Sequence, residues 1–86
     1  MKKSLCTLEN DVLLSRLRKI RQDAGLTQAQ MAEKLHVHQS WVSYYERGSR
    51  KLDMLQVRQI CVAAGISLAE FAAMLDKAIT EIESIS

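Results

Sequence analysis

Four polar side chains share one face of a short helix predicted between residues 39 and 47: Gln39, Ser40, Ser43 and Tyr44. They occupy positions i, i+1, i+4 and i+5, which in a helix lie together on the face opposite Val42 and Tyr45. A glutamine amide carries a donor and an acceptor side by side, and this pair matches N6 and N7 of adenine in the major groove. The chemistry available to this face is therefore hydrogen bonding to the edges of bases.

Two short helices joined by a tight turn are predicted to position this face. The first begins at Thr27, and residues 27–30 fit a capping box in which Gln30 bonds back to the cap. The turn is His36-Val37-His38, and the second helix runs from about Gln39 to Arg47. The apolar residues of both helices fall on their inner faces: Met31, Ala32, Leu35, Val42 and Tyr45. This division is typical of a helix-turn-helix, here at about residues 27–47.

A longer helix is predicted before this unit. Asn10 or Asp11 caps it, and Gly25 ends it after about Ala24. Its inner stripe recurs with helical spacing: Leu13, Leu17 and Ile20. We expect residues 1–10 to form an N-terminal tail.

Two more helices are predicted after it. Asp53 caps the fourth helix, which continues to Ala64 with five residues facing inward: Met54, Val57, Ile60, Cys61 and Ala64. Residues 67–70 form a third capping box and start a last helix that runs to about Ile85. With no proline and three glycines, the chain is expected to be a compact all-α domain of five helices over residues 11–75, with a helical extension over 76–86.

The last helix carries an apolar stripe with spacings of four, three, four and three residues: Phe71, Leu75, Ala78, Ile82 and Ile85. A mean spacing of 3.5 suits a helix that lies along a partner helix. In the alternative interpretation, Phe71 and Leu75 close the domain's own core and the later turns fray. We favour a dimer contact, since a monomer would expose the isoleucines as one patch. Its predicted members are Leu75, Ala78, Ile79, Ile82 and Ile85.

Charge and composition narrow the class of protein. Residues 1–51 hold ten Lys and Arg against five Asp and Glu, whereas residues 52–86 hold two against five, so one half is suited to face a polyanion. No apolar run is long enough to cross a membrane, and no secretory signal is evident. We therefore expect a cytoplasmic protein. Cys6 lies in the predicted tail and Cys61 in an apolar helix, and we expect neither a disulfide nor a metal or other cofactor.

The ordered set of motifs resembles the Cro/CI-type (XRE) family of helix-turn-helix repressors. These motifs, spread over about residues 13–75, are Leu17-Arg18-x-x-Arg21, Gly25-Leu26-Thr27-Gln28, Ala32, Tyr45-Glu46-Arg47-Gly48 and Gly65-Ile66-Ser67-Leu68. The resemblance implies a lambda-repressor-like domain that binds double-stranded DNA. It further implies a homodimer acting as a repressor on an inverted-repeat operator, associated with a bacterial or phage nucleoid.

The resemblance also implies roles for individual residues. Bases would be contacted by Gln39, Ser40, Ser43 and Tyr44. The phosphate backbone would be contacted by residues around the recognition helix: Arg18, Lys19, Gln28, Trp41, Arg47, Ser49, Arg50 and Lys51. For Gln28 the family offers two roles, a phosphate contact or a brace against the recognition helix. Arg21 and Glu46 would form a largely buried structural ion pair.

Three residues depart from the family pattern. His36 replaces the usual glycine of the turn, which implies a strained left-handed residue. His38 stands where Ser or Thr usually caps the recognition helix, so the cap is either weaker or donated by another group. Trp41 replaces a small polar residue and either packs on the sugar-phosphate wall of the DNA or shields the turn.

Two other classes of function were weighed. A protein-interaction module of the same fold, such as an antitoxin or coactivator-like adaptor, would use the C-terminal helix for a different partner. An enzyme is disfavoured, because the sequence has no phosphate-binding glycine loop, no metalloprotease motif and no paired catalytic carboxylates.

Overall fold

The structure, a computed structural model, describes residues 5–85 and contains five α-helices in that range. They are α1 (Leu5–Asp23), α2 (Gln28–Leu35), α3 (Gln39–Glu46), α4 (Met54–Ala63) and α5 (Leu68–Ile85). The described residues include no β-strand. The prediction of an all-α, five-helix fold is confirmed.

Side-chain caps start α2, α4 and α5 where the sequence predicts them. The Thr27 Oγ1 accepts from the Gln30 N–H (3.1 Å), and the Gln30 Oε1 accepts from the Thr27 N–H (2.9 Å). Asp53 and Gln56 form the same reciprocal pair, at 2.8 and 2.9 Å. At α5 the Ser67 Oγ accepts from the backbone N–H of residue 70 (3.1 Å) and donates to the carboxylate of that residue (3.2 Å). These caps satisfy backbone donors that helix starts leave without partners.

Gly48 directs the chain away from the end of α3. Its φ of 80° is left-handed, and the N–H of Ser49 donates to the carbonyl of Tyr44 (2.9 Å), which closes a Schellman motif. A Cβ at Gly48 would also lie 3.2 Å from the Leu14 Cδ1. Only glycine therefore satisfies both the backbone conformation and the packing at the start of the basic loop.

One hydrophobic core joins the five helices. Its buried members are Leu17, Ile20, Met31, Ala32, Val42, Tyr45, Val57, Ile60, Cys61 and Phe71. Most of the predicted inner residues are among them, but Met54 is 74% exposed and the prediction that it faces inward is wrong. Met54 directly follows the cap of α4, and the buried face of that helix starts one turn later, at Val57. Ala64 is half-buried.

Helix α1 begins at Leu5, so the prediction of a start at Asn10 or Asp11 is wrong. Residues 5–10 of the predicted tail are helical, and residues 1–4 lie outside the described range, as does Ser86 at the other end. The additional turns of α1 bring Leu8 and Val12 beside α5, where they line a shallow groove together with Ala78 and Ile82. Burial of these apolar side chains between the two helices favours the longer α1.

The same packing changes the interpretation of the α5 stripe. Ala78 is only 8% exposed, and Ile79 and Ile82 are half-buried, whereas Ile85 is 85% exposed. The expectation of one contiguous exposed isoleucine patch in a monomer is therefore wrong, because α1 covers part of it.

No single helix in the described part of the chain is long and apolar enough to cross a membrane.

Candidate nucleic-acid interface

The turn between α2 and α3 is closed by the backbone. His36 is left-handed, with a φ of 58°, as expected for a residue in the usual place of a glycine. The N–H of Val37 donates to the carbonyl of Ala32 (3.0 Å), and the N–H of His36 donates to the carbonyl of Glu33 (3.2 Å). This is a Schellman motif with histidine at its left-handed position. The turn therefore has the geometry that a glycine would give it, and the backbone of His36 is strained.

His38 caps α3 itself. Its backbone is extended, and its Nδ1 accepts from the N–H of Ser40 at 3.1 Å. The same Nδ1 lies 2.9 Å from the Ser40 Oγ. The imidazole nitrogen takes the place of the Ser or Thr hydroxyl, so the cap is not donated by another group, whereas the weaker cap stays a prediction.

The four residues predicted to contact bases lie on the side of α3 away from the core. Gln39 is exposed, Tyr44 is 44% exposed, and Ser40 and Ser43 are half-buried. Val42, on the opposite face, is fully buried. The structure thus presents a continuous polar surface of one amide and three hydroxyl groups.

Two guanidinium groups stack on aromatic rings of α3. The Cζ of Arg47 lies 4.7 Å from the centroid of the Tyr44 ring, and the Cζ of Arg50 lies 5.4 Å from the centroid of the Trp41 ring. Trp41 in turn packs edge-to-face on the buried Tyr45, with ring centroids 5.3 Å apart. Such stacking restricts long side chains and places positive charge beside the polar face of α3.

Sequence reasoning missed these two stacked pairs. The i, i+3 spacing of Tyr44 and Arg47 was an available signal. The contact between Trp41 and Arg50 was not available locally, since the chain passes through the Gly48 turn between them. Trp41 is half-buried and packed against the core, so it is at least a structural residue.

Glu46 is the centre of a buried polar cluster. Its side chain is 1% exposed, and its carboxylate accepts from the Arg21 Nε (2.6 Å) and Nη2 (3.0 Å). The Gln28 Nε2 donates to the Oε1 of the same carboxylate (3.2 Å). The hydrogen bond to Glu46 raises the pKa of Arg21, and a further bond from the Arg21 Nη1 to the carbonyl of Leu26 (2.8 Å) fixes the guanidinium. The cluster ties α1 and α2 to the last turn of α3.

Two residues predicted to contact phosphates, Arg18 and Lys19, also make intramolecular contacts. The Arg18 Nε lies 3.5 Å from the Glu46 Oε1, and its Nη2 donates to the Glu46 carbonyl (3.3 Å). Lys19 pairs with Asp23 at 3.4 Å, one helical turn away. The side chains of Arg18 and Lys19 are still about half exposed. For Gln28, the bond to Glu46 is a brace against the recognition helix, one of its two predicted roles, and the phosphate contact stays a prediction.

Four other residues predicted to contact phosphates lie in the segment that follows α3. Arg47, Ser49, Arg50 and Lys51 are all exposed, and three of the four are cationic. They follow the polar face of α3 directly in the chain, so positive charge borders that face at its C-terminal end. Among the described residues no cluster of three or more His, Cys, Asp or Glu side chains is suited to hold a metal ion.

A short helix capped at its start, tied to a preceding helix by a tight turn and presenting a polar face beside cationic side chains, defines a helix-turn-helix domain. A family model for the helix-turn-helix domain matches residues 12–74. The chain belongs to this helix-turn-helix family, and within it to the XRE type.

Two solved structures are similar to this chain. An XRE-family like protein from Pseudomonas syringae pv. tomato str. DC3000 is 29% identical, with a TM-score of 0.79 over 84% of this chain and 88% of that one. The clp gene regulator ClgR from Corynebacterium glutamicum is 25% identical, with a TM-score of 0.75 over 88% of this chain and 81% of that one. No curated protein matches the sequence.

Proposed function

We propose that this chain is a DNA-binding transcription regulator that places α3 in the major groove. The observation that carries the proposal is the exposed polar face of α3, held rigidly by the Glu46 cluster and bordered by stacked arginines. Rigid presentation matters because base-specific hydrogen bonds require donors and acceptors at fixed positions. The family match and the regulator among the similar structures support this assignment.

Two groups of residues divide the work in this proposal. Gln39, Ser40, Ser43 and Tyr44 contact base edges and select the sequence. Phosphates are contacted by the half-buried Trp41 of α3 and by exposed residues that follow the helix: Arg47, Ser49, Arg50 and Lys51. Gln28, Arg18 and Lys19 contribute mainly by positioning, since each already has an intramolecular partner. Phosphate contacts orient the protein and make its affinity depend on salt, but they do not choose the sequence.

A matched pair of substitutions tests this division. We expect Gln39→Ala to relax the preference at one base pair and to cost ~1–3 kcal/mol on the preferred site. Lys51→Ala should weaken all sequences to a similar extent and lower the slope of log K against log salt by about one. Affinities of both variants would be measured on a site selected from random duplex DNA and on its single-base variants. Equal effects of the two substitutions would contradict the assigned roles.

We further propose that the protein acts as a homodimeric repressor on an inverted repeat. Two copies of α3 would then enter successive major grooves about 34 Å apart. The dimer contact would use the part of the α5 stripe that α1 leaves accessible, namely Ile79, Ile82 and Ile85, while Leu75 and Ala78 serve mainly the chain's own packing. Selected sites with two symmetric halves would support this arrangement, whereas single half-sites would contradict it.

A second candidate function is a protein-interaction module of the same fold. The observation that favours it is exposed apolar surface outside α3: Met54, Leu55 and Val62 on α4, and Ile85 on α5. Light scattering after size exclusion separates the two candidates. A stable dimer with specific DNA binding supports the regulator, and a monomer with no sequence preference at moderate salt supports the adaptor.

A further inference from the structure

His38 uses only one of its two ring nitrogens within the protein. Its Nδ1 accepts from the Ser40 N–H at 3.1 Å and lies 2.9 Å from the Ser40 Oγ. A nitrogen that accepts from a backbone N–H has a free lone pair and no proton of its own. The hydrogen-bond network therefore assigns the ring hydrogen to Nε2 in the neutral imidazole.

The second nitrogen, Nε2, belongs to an exposed side chain at the start of the recognition helix. His38 is exposed and immediately precedes Gln39, the first residue of α3. Among the described residues, no group forms a hydrogen bond with Nε2. A serine or threonine cap would also keep an O–H donor, but its hydroxyl lies at the helix terminus itself, whereas the histidine Nε2 lies on the far side of the ring, away from the cap.

We propose that His38 is a DNA-contacting residue, whose Nε2–H donates to an acceptor of the DNA while Nδ1 caps α3. This inference rests on the proposed function, since it requires α3 to lie against DNA. The acceptor is either a phosphate oxygen or an acceptor at a base edge, such as purine N7. The cap fixes the direction of the donor, because rotation of the ring would break the bond to the Ser40 N–H. His38 thus extends the polar face of α3 by one residue beyond Gln39.

The variant His38→Ser separates the two roles of the ring. Serine is among the best N-cap residues, so the thermal unfolding midpoint should stay equal to or above that of the unchanged protein. The Nε2 donor is lost, and the shorter serine hydroxyl ends too close to the helix to replace it, so the affinity for the selected site should fall about 3- to 30-fold. His38→Ala, which loses both roles, should lower both the midpoint and the affinity.

Binding to single-base variants of the selected DNA site identifies the acceptor. If His38→Ser weakens binding by the same factor on every sequence, the acceptor is a phosphate. If the loss disappears on a site altered at one base pair, the acceptor is that base. If His38→Ser binds the selected site as tightly as the unchanged protein, the inference is wrong, and Gln39→Ala in the same assay shows whether the proposed function still holds.

Nuclear magnetic resonance of the unchanged protein supplies a test that needs no substitution. Long-range ¹H–¹⁵N correlations report which ring nitrogen carries the hydrogen. We expect a protonated Nε2 in the free protein and a shift of the Nε2 signal when the selected DNA is added. A hydrogen on Nδ1, or an Nε2 signal that does not move with DNA, would overturn the inference.

Discussion

Removal of the Glu46 carboxylate should be the most damaging single change in the polar part of this protein. In Glu46→Gln the Arg21 guanidinium stays about nine-tenths buried but loses its counter-charge. Breaking a buried pair in this way costs ~3–5 kcal/mol. A domain of 86 residues has about 4–13 kcal/mol of stability in total, so the variant should lose from about a quarter of it to all of it. Arg21→Met should be similarly damaging, because it leaves the carboxylate buried.

A double-mutant cycle tests whether burial of an unpaired charge is the cause. Urea unfolding would be followed through the fluorescence of Trp41, the only tryptophan, which packs on Tyr45 beside Glu46. We expect the Arg21→Met, Glu46→Leu double variant to be more stable than either single variant, since no buried charge remains on that pair. Gln28→Ala, which removes one neutral donor from Glu46, is the control and should cost about 1 kcal/mol. Single variants that lose less than about 1 kcal/mol, or a double variant whose loss equals their sum, would refute the reasoning.

Four smaller predictions concern the core and the turn. The Tyr45 Oη is buried and has no hydrogen-bond partner among the described residues, so Tyr45→Phe should raise the free energy of unfolding by about 1 kcal/mol in urea titrations; a loss of stability would indicate a partner. Burial raises the pKa of Tyr45, so above pH ~10 the folded state keeps a proton that the unfolded chain loses. The free energy of unfolding should therefore fall as pH rises above ~10. It should fall less steeply in Tyr45→Phe than in the unchanged protein. Burial also raises the pKa of Cys61 to about 11, which makes the thiol unreactive in the folded protein. In a Cys6→Ser variant, Cys61 should therefore react with disulfide reagents only as fast as the protein unfolds. Rapid labelling of the folded protein would contradict this. His36→Gly should gain up to about 1 kcal/mol, because the relief of left-handed strain exceeds the entropy that glycine adds to the unfolded chain, and an unchanged unfolding midpoint would argue against strain.

Helix starts were the most predictable part of the fold. Thr27, Asp53 and Ser67 all cap helices in the structure, as the sequence patterns predict. These signals are local, since each cap and its partner are three residues apart, and the hydrogen bonds form wherever the chain turns into a helix. The polar face of α3 was equally predictable, because helical periodicity alone separates Ser40 and Tyr44 from the buried Val42.

The start of α1 was not predictable in the same way. Asn10 and Asp11 are good caps, but the helix continues through them to Leu5. What favours the longer helix is contact between α1 and the end of α5, two segments about seventy residues apart in the chain. For the same reason the isoleucine stripe of α5 suggested contact with a partner chain. In the structure, the protein's own first helix covers part of this stripe.

In the candidate interface, the sequence by itself determined which side chains face outward and where the positive charge lies. The tertiary structure decided which of those side chains are already engaged: Arg18 and Gln28 bond to Glu46, 28 and 18 positions away, and Arg50 stacks on Trp41 across a turn. The Arg21–Glu46 pair could be anticipated only through the family resemblance, because its partners are 25 positions apart. The physical reason is range: caps and periodicity act within a few residues of one helix, whereas the partners of a buried charge are chosen when separate helices pack together.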